Sequence, residues 1–564
     1  MKKVISVCLA ILMLLPVVSV FAGASKRPSR EYGFAFATDL HYVHPLSDAK
    51  ERMLDLYPNL CMGSKNNLQS ESGFIIDEFL RQCAENDSCE FVLISGDLVT
   101  YGRERTSDHE ELAQKFREFE KNTGKQVYVI NGNHDNGLGY STDYKKFCEI
   151  YYEFGYDTAF SRDESCCSYA TELNDDYVLI ALDSFDERYM LASGVDSERL
   201  KWVKEQCDYA KEKGKYPIVI MHHNLLEHQP LEALVNDKYI VSFPKSIATM
   251  FAEWGIKLVF SGHTHTNDVS SFTTTAGSKV YEFCNSALST YPLEYKTFKL
   301  SESTISYETK SVDNIDADAL TSVITSGYSE HELDLINNDF KQFVKEYNVG
   351  NAMSVIKSGI SPEFLGFDEG SLFYDSVKEL TDTLNSLMAK PLYGEGGVKE
   401  IAQSVGVEIP ETSYENVYGV AEQLYIDVLT GNRNYEFESP EIEIVLGTVE
   451  TAIELSLDGS TSESLYIIAS VITSNFGVNL PVDATGTAEY LALAVASPFI
   501  YEYINSTDGL DNRNGAIPGY GSSESRLDNI TDTLNTSVSN LMLYIDMISK
   551  FLTKLFDAFF GGVA

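Results

Sequence analysis

The stretch of sequence that decides the fold is residues 127–135, which read Val-Tyr-Val-Ile-Asn-Gly-Asn-His-Asp. Its first half is apolar and rich in β-branched and aromatic residues, which favour a buried strand. Its second half changes to a glycine followed by three side chains that carry oxygen or nitrogen donors. Such a sequence predicts a strand that ends in a polar turn at the edge of a sheet.

The same arrangement recurs at four other places within the first 265 residues. The predicted strands Gly33–Thr38, Phe91–Ser95, Ile218–Met221 and Leu258–Phe260 run into Asp39-Leu40-His41, Gly96-Asp97, His222-His223 and Gly262-His263-Thr264-His265. Another strand is predicted at Tyr177–Leu182, and apolar spacings of three and four residues predict helices over Ser72–Asn86, Asp108–Lys121 and Ser197–Lys213. This alternation predicts a layered α/β domain with a largely parallel core, closed by strand-like segments between Lys279 and Leu300.

The polar strand ends are candidates for a single site. In open α/β sheets, ligands gather beyond the carboxyl ends of the strands, so one crevice can collect all five segments. Each segment alone has a structural explanation, because a lone Asp-x-His is often structural and Gly-Asn often marks a turn. Five such segments in order, each after an apolar strand, favour a metal site. Carboxylate, amide and imidazole ligands suit iron, manganese or zinc rather than soft copper sites.

The order Asp-x-His, Gly-Asp, Gly-Asn-His-Asp, His, Gly-His-x-His resembles the signature of the calcineurin-like metallophosphoesterase superfamily, over about residues 32–300. The segment from Asn285 to Tyr295, Asn-Ser-Ala-Leu-Ser-Thr-Tyr-Pro-Leu-Glu-Tyr, is similar to the tail of exported, cyclic-nucleotide-phosphodiesterase-like members. The resemblance implies an α/β fold with a four-layer α/β/β/α sandwich. It also implies hydrolysis of a phosphoester at two metal ions.

The resemblance further implies a role for each residue of the site. One metal would be held by Asp39, His41 and His265, and the other by Asn133, His222 and His263. Asp97 would bridge the two ions, which are expected to be manganese, iron or zinc. A metal-bridging hydroxide would attack phosphorus in line with the leaving oxygen, and His134 would protonate that oxygen or stabilise charge on the phosphoryl group. Asp135 would either orient His134 or only cap the following turn.

Residues beside these motifs separate the chain from related families. Thr100 stands where purple acid phosphatases carry a tyrosine three residues after the bridging aspartate, which argues against a ferric–tyrosinate site. Arg103 and Arg105 do not reproduce the arginine pattern of protein serine/threonine phosphatases. Functional and structural interpretations both stay open for His223, Asp183, Ser184 and Tyr291. Because neighbouring strand residues point to opposite faces, only one of two adjacent histidines is expected to bind the same metal directly.

Residues 1–24 have the pattern of a secretory signal peptide. Lys2 and Lys3 precede an apolar run over residues 4–20, and Ala22-Gly23-Ala24 offers a cleavage site. We therefore expect a secreted or otherwise extracytoplasmic protein. Of nine cysteines, Cys8 lies in this segment. The even number left permits disulfides, and their pairing stays open.

The composition of the chain changes near residue 310. All histidines except His331, all cysteines and both tryptophans precede that point. The sequence therefore predicts a metallophosphoesterase domain over 30–310 and an acidic, mainly helical accessory domain over 311–564. Helices are predicted at Ser371–Met388, Val417–Leu429 and Thr487–Tyr503, with a loop at Asn505–Ser525. The apolar residues between 541 and 555 share one face of a predicted helix. We expect this face to pack within its own domain rather than to contact a membrane.

The formal net charge of −41 bears on the partners of the protein. A surface this acidic repels phosphate backbones, which argues against nucleic acid as a bulk partner. The resemblance to the superfamily implies a small phosphoester as the substrate, and the second resemblance favours a phosphodiester over a monoester. The alternative from another class is a non-catalytic surface binding protein that keeps a metal site. The intact ligand set argues against that alternative.

Overall fold

The computed structural model describes residues 30–51, 67–186, 195–228, 239–363, 369–370, 374–433, 435, 439–456 and 510–520. Several sequence predictions lie outside these residues: the signal peptide, the helix Thr487–Tyr503 and the segment 541–555. Within the described ranges, no helix is both long enough and apolar enough to cross a bilayer.

In the part of the chain that the structure describes, thirteen strands, numbered in chain order, form two sheets. They are β1 Tyr32–Ala37, β2 Phe91–Ile94, β3 Gln126–Val129, β4 Ser161–Arg162, β5 Tyr169–Glu172, β6 Tyr177–Ala181, β7 Tyr216–Ile220, β8 Leu258–Ser261, β9 Asp268–Thr273, β10 Lys279–Cys284, β11 Glu294–Leu300, β12 Thr304–Ser311 and β13 Asn514–Pro518. The first sheet has the order β13-β12-β11-β1-β2-β3, and the second has the order β4-β5-β6-β7-β8-β10-β9. Both sheets are mixed. Strands β1, β2 and β3 run parallel at one edge of the first sheet, whereas β6, β7, β8 and β10 run parallel in the centre of the second.

The parallel strands bring their carboxyl ends to a common edge in each sheet. In the first sheet Ala37 pairs with Ile94 of the neighbouring strand, and Ile94 pairs with Val129. In the second sheet Ile220 pairs with Phe260. The polar segments that follow these strands therefore start at neighbouring positions.

The helices of the described residues are also numbered in chain order. They are α1 Ser72–Glu85, α2 Thr106–Thr123, α3 Tyr144–Ile150, α4 Ser197–Lys213, α5 Pro244–Glu253, α6 Ala317–Val323, α7 Glu330–Asn338, α8 Phe340–Lys357, α9 Tyr374–Met388, α10 Val398–Ser404, α11 Val417–Thr430 and α12 Pro440–Ser456. Apolar residues of α1 and α2 pack in the core of the first sheet. Those of α4 and α5 pack on the second sheet. The expected α/β/β/α sandwich is confirmed.

Phenylalanine side chains fill the space between the two sheets. Phe298 of β11 stacks on Phe34 of β1 with ring centroids 4.9 Å apart. From the second sheet, Phe260 and Phe283 meet Phe298 edge to face at 5.0 and 4.9 Å. These contacts fix the distance between the sheets, and with it the distance between their strand ends.

The six strands and three helices predicted for the first 265 residues are confirmed, with their ends shifted by one or two residues. The helices predicted at Ser371–Met388 and Val417–Leu429 are found as α9 and α11. The loop predicted at Asn505–Ser525 is wrong for residues 514–518, which form β13. This short strand pairs with β12 from Thr304 to Glu308. It illustrates how pairing with a neighbour overrides a composition rich in glycine and asparagine.

The chain beyond residue 311 contacts the first core in several places. Apolar residues of α6, α7 and α8 belong to the same cluster as the first sheet. Helices α9 to α12 build a second apolar cluster of their own. The amide nitrogen of Val269 donates to Oδ1 of Asn512 at 3.0 Å, and Arg513 pairs with Glu294. The segment around β13 is thus held against strands of both sheets.

Replacing Phe298 by alanine tests the packing between the sheets. The side chain is 1% exposed, so its removal leaves a cavity and should lower the free energy of unfolding by about 3–5 kcal/mol. Denaturation with urea measures this change. The control is Phe160→Ala at a ring that is 37% exposed. A Phe298→Ala chain no less stable than this control would contradict the role assigned to the aromatic contacts.

Candidate metal centre

The side chains that follow β1 and β8 meet at one point. Oδ1 of Asp39 lies 3.2 Å from Nε2 of His265 and 3.7 Å from Nε2 of His41. The two imidazole nitrogens are themselves 3.2 Å apart. Asp39 and His41 are buried, whereas the His265 side chain is 28% exposed. These three residues form a group whose ligand atoms can hold one metal ion.

A second group forms where β2, β3, β7 and β8 end. Asp97, His222 and His263 each offer a ligand atom, and these atoms all lie within 4.8 Å of one another. Nε2 of His222 is 3.2 Å from Oδ2 of Asp97 and 3.0 Å from Oδ1 of Asn133. Nδ1 of His222 lies 3.0 Å from the carbonyl oxygen of Ser95. If Nδ1 carries the proton, this hydrogen bond turns the lone pair of Nε2 toward the group.

Asp97 lies between the two groups. Its Oδ2 is 3.2 Å from Nε2 of His222 and 3.9 Å from Nε2 of His41. Its Oδ1 accepts the amide hydrogen of His134 at 2.8 Å, which fixes the carboxylate in this position. The structure therefore brings together all seven residues for which the sequence predicts metal ligation. Oδ2 of Asp97 lies within 4 Å of a histidine nitrogen from each group.

The backbone is strained at the candidate ligands. Seven residues other than glycine have positive φ among those that the structure describes, and five of them are candidate ligands: Asp39, His41, Asp97, His263 and His265. Their φ angles lie between 46° and 69°. This conformation costs about 1–3 kcal/mol for a residue with a side chain and is found mainly at functional sites. The strain turns each side chain toward the centre of the crevice.

Residues 33–267 match the family model described as calcineurin-like phosphoesterase. Over these residues the chain is similar to calcineurin-like phosphoesterases, and we refer to this part as the phosphoesterase domain. The match supports a metal-dependent phosphoester hydrolase. It ends at Asn267, so it includes every candidate ligand.

Several solved structures are similar to about half of the chain. A dimetal phosphatase from Danio rerio has 12% identity, covers 50% of this chain and 96% of its own, and has a TM-score of 0.35. PhoD has 9% identity, coverage of 51% and 66%, and a TM-score of 0.30. GAP50, the anchor in the inner membrane complex of Plasmodium, has 12% identity, coverage of 50% and 84%, and a TM-score of 0.28. No curated protein sequence matches the chain.

The chemistry of the donor atoms in the phosphoesterase domain fits a pair of metal ions. Burial lowers the pKa of His41 and of His263 to about 3, so both imidazoles are neutral and keep a free lone pair. Burial opposes protonation of His222 as well, but Asp97 and Asp39 outweigh it and raise the pKa of His222 to about 9. A metal cation in place of this proton would interact favourably with the same two carboxylates.

Glycines allow the close approach of these segments. A Cβ at Gly132 would lie 2.2 Å from Oδ1 of Asp97. A Cβ at Gly262 would lie 2.2 Å from Oδ2 of Asp39 and 2.0 Å from Oγ1 of Thr38. All three distances are too short for real contacts. The glycines in front of Asn133 and His263 are therefore required by the positions of the neighbouring carboxylates.

His134 and Asp135, the predicted catalytic residues, have different surroundings. Nδ1 of His134 lies 3.0 Å from the carbonyl oxygen of Thr100, and its Nε2 is 3.9 Å from Oδ2 of Asp97. Asp135 accepts the amide hydrogens of Gly132 at 2.7 Å and of Val99 at 3.1 Å. Burial and the charge of Asp97 raise the pKa of Asp135 to about 7. This geometry favours the turn-capping alternative for Asp135, whereas Thr100 orients the His134 ring.

Three further residues whose role the sequence left undecided, His223, Ser184 and Asp183, make hydrogen bonds within the protein. Nδ1 of His223 lies 2.8 Å from Oγ of Ser184, and the His223 ring packs against His263 at 4.5 Å. Asp183 accepts the amide hydrogens of Cys167 and Phe185 at 3.0 and 2.9 Å. Ser184 thus positions His223 next to the candidate ligand His263. Asp183 connects the segments that contain Cys167 and Phe185 through hydrogen bonds to their amides.

Two residues near the site were not predicted from the sequence. The ring of Tyr239 lies 4.7 Å from the ring of His263, and the residue is 39% exposed. The guanidinium of Arg103 donates from Nε to the carbonyl oxygen of Asn133 at 2.7 Å. Neither residue belongs to a recognisable motif. Their positions follow from loops that only the folded chain brings together.

Replacing Gly262 by alanine tests whether the position of Asp39 determines metal binding. The new methyl group should displace the Asp39 carboxylate and weaken binding of Mn²⁺ by about tenfold or more. Calorimetric titration of the metal-free protein measures this effect. The control is Gly350→Ala in α8, where an added Cβ meets no atom within 4 Å. A folded Gly262→Ala chain that binds Mn²⁺ like the control would contradict the proposed ligand geometry.

Proposed function

We propose that the protein is an exported phosphoesterase that hydrolyses a phosphodiester at two metal ions held by seven ligands. The observation that carries this proposal is the position of Asp97 between the two ligand groups, 3.2 Å from His222 and 3.9 Å from His41. A carboxylate shared between two such groups is the arrangement that a pair of neighbouring cations requires. When bound, two metals polarise phosphoryl oxygens and make water nucleophilic at neutral pH.

The residues of the chain supply the other parts of the reaction. His134 is 9% exposed and lies beside Asp97 at the opening of the site. With Nδ1 directed at the carbonyl of Thr100, its Nε2 is the atom that donates a proton to the leaving oxygen. Arg103 holds the carbonyl of Asn133, so that the amide side chain of Asn133 and the ring of His134 keep their relative positions. Asp135 holds the turn that carries both.

The substrate enters where the site is least buried. Asn133, His263 and His265 are only half-buried, so the crevice opens beside them. Tyr239 lies against His263 at this opening with part of its ring exposed. An aromatic surface next to the metals can pack against the organic group of a phosphoester.

Two considerations favour a diester over a monoester. The segment from Asn285 to Tyr295 is similar to cyclic-nucleotide-phosphodiesterase-like proteins. A diester also carries one negative charge, whereas a monoester carries close to two at neutral pH. With a net charge of −41, the protein repels the monoester more strongly. The pattern of residues 1–24 supports export.

Hydrolysis of two p-nitrophenyl substrates tests the proposed function. After chelation and restoration of manganese, iron or zinc, the protein should hydrolyse bis-p-nitrophenyl phosphate faster than p-nitrophenyl phosphate. Asp97→Ala removes the shared carboxylate and should abolish both metal binding and turnover. Absorbance of p-nitrophenolate and metal analysis of the same samples report the two properties.

The possible outcomes separate the alternatives. Faster turnover of the monoester would assign the protein as a phosphatase with the same centre. A sample that holds two metals and hydrolyses neither substrate would leave a highly selective enzyme or the non-catalytic binding protein. An Asp97→Ala chain that keeps both metals and its activity would refute the shared role of Asp97.

Replacing His134 by alanine tests its role as proton donor. Turnover of diesters with poor, alkyl leaving groups should fall by about 10²–10⁴-fold, because the leaving alkoxide needs a proton. Turnover with p-nitrophenolate as leaving group should fall much less, while metal content stays unchanged. His44→Ala at a side chain that is 52% exposed is the control. Equal losses with both leaving groups would argue against proton donation by His134.

A further inference from the structure

A buried arginine from the C-terminal helical region lies between two segments that carry candidate metal ligands. Arg433 follows α11, and its side chain is 0% exposed. Its Nη1 donates to the carbonyl oxygen of His228 at 2.8 Å, and its Nη2 lies 2.7 Å from Oδ1 of Asp268. A cation buried this deeply is stable only where partners match its charge and its hydrogen bonds.

Asp268 connects the arginine to the loop that follows β7. Its Oδ2 lies 2.7 Å from Nδ1 of His228, so one carboxylate contacts both the guanidinium and the imidazole. Glu282 of β10 lies 3.2 Å from Nε2 of His228 and accepts the amide hydrogen of Leu225 at 2.8 Å. Burial opposes protonation of His228, but Glu282 outweighs it and raises the pKa of His228 well above its usual value. The cluster thus contains two cations and two carboxylates.

This ion cluster, formed by Arg433, His228, Asp268 and Glu282, holds the chain close to ligands of both candidate metals. His228 comes six residues after His222, and Asp268 comes three residues after His265. His265 has a φ of 56°, a conformation that persists only where the surroundings hold the backbone in place. Arg433 touches both segments from outside the ligand set and fixes them relative to one another.

We propose that Arg433 is a positioning residue for the metal centre, and that the C-terminal helical region completes this centre through it. The inference rests on the proposed function, because it takes His222 and His265 as ligands of different metals. Arg433 acts through His228 and Asp268 rather than on the substrate. Its loss should therefore weaken metal binding, whereas kcat at saturating metal should stay close to that of the unchanged chain.

Titration with Mn²⁺ tests this inference on the full chain. Arg433→Lys keeps a positive charge beside Asp268 but lacks the planar fork that reaches two acceptors. It should bind Mn²⁺ about tenfold more weakly or worse, and Arg433→Met should lose more. Calorimetry of the metal-free proteins gives the affinities, and their thermal unfolding gives Tm. If Arg433→Met does not fold, Arg433→Lys decides the question.

The control variant is Lys125→Met at the opposite end of the first sheet. Nζ of Lys125 donates to the carbonyl oxygens of Cys83, Ala84 and Asn86 at 2.8, 2.9 and 2.9 Å. Its replacement should lower Tm without weakening the binding of Mn²⁺. A folded Arg433→Lys chain with unchanged affinity would overturn the inference, as would equal weakening in Lys125→Met. An unchanged chain that binds no Mn²⁺ would instead refute the proposed function.

Discussion

The left-handed backbone at the strand ends is the constraint on which the rest of the site depends. A continued strand would place Asp39 and His41 on one face but about 6.5 Å apart along it, so their side chains would not converge on one point. At positive φ the chain turns, and both side chains point into the same crevice. Each turn costs stability, and it persists because glycines, buried hydrogen bonds and neighbouring loops leave the backbone no relaxed alternative.

The two sheets contribute unequal parts of the centre. The first sheet carries Asp39, His41, Asp97 and Asn133, whereas the second carries His222, His263 and His265, which supply only nitrogen. The distance between these two sets of ligands is therefore set by the aromatic layer between the sheets. A change in the core, far from any ligand, alters the distances at the site. The packing between the two sheets therefore affects both the stability of the fold and the distances between the candidate metal ligands.

Local patterns in the sequence were enough to predict the strands, the outer helices and the residues that gather at the site. Each of these depends on a few consecutive residues, such as the apolar run and polar turn of residues 127–135. The ion cluster could not be predicted in this way, because Arg433 and His228 are 205 residues apart. For the same reason β13 was interpreted as a loop, since its pairing with β12 overrides its composition. Tyr239 carries no motif, and the turn-capping role of Asp135 becomes visible only from its backbone partners.

The ion cluster also determines when the centre can form during synthesis. Asp268 and Glu282 leave the ribosome long before Arg433, and their carboxylates stay hydrated until that cation is available. Closing such a long loop is slow relative to local folding. The phosphoesterase domain therefore reaches its final form late, after residues 514–518 have also been added to the first sheet. If the proposed export takes the chain across a membrane unfolded, the metals are then selected from the ions of the destination compartment rather than from those of the cytosol.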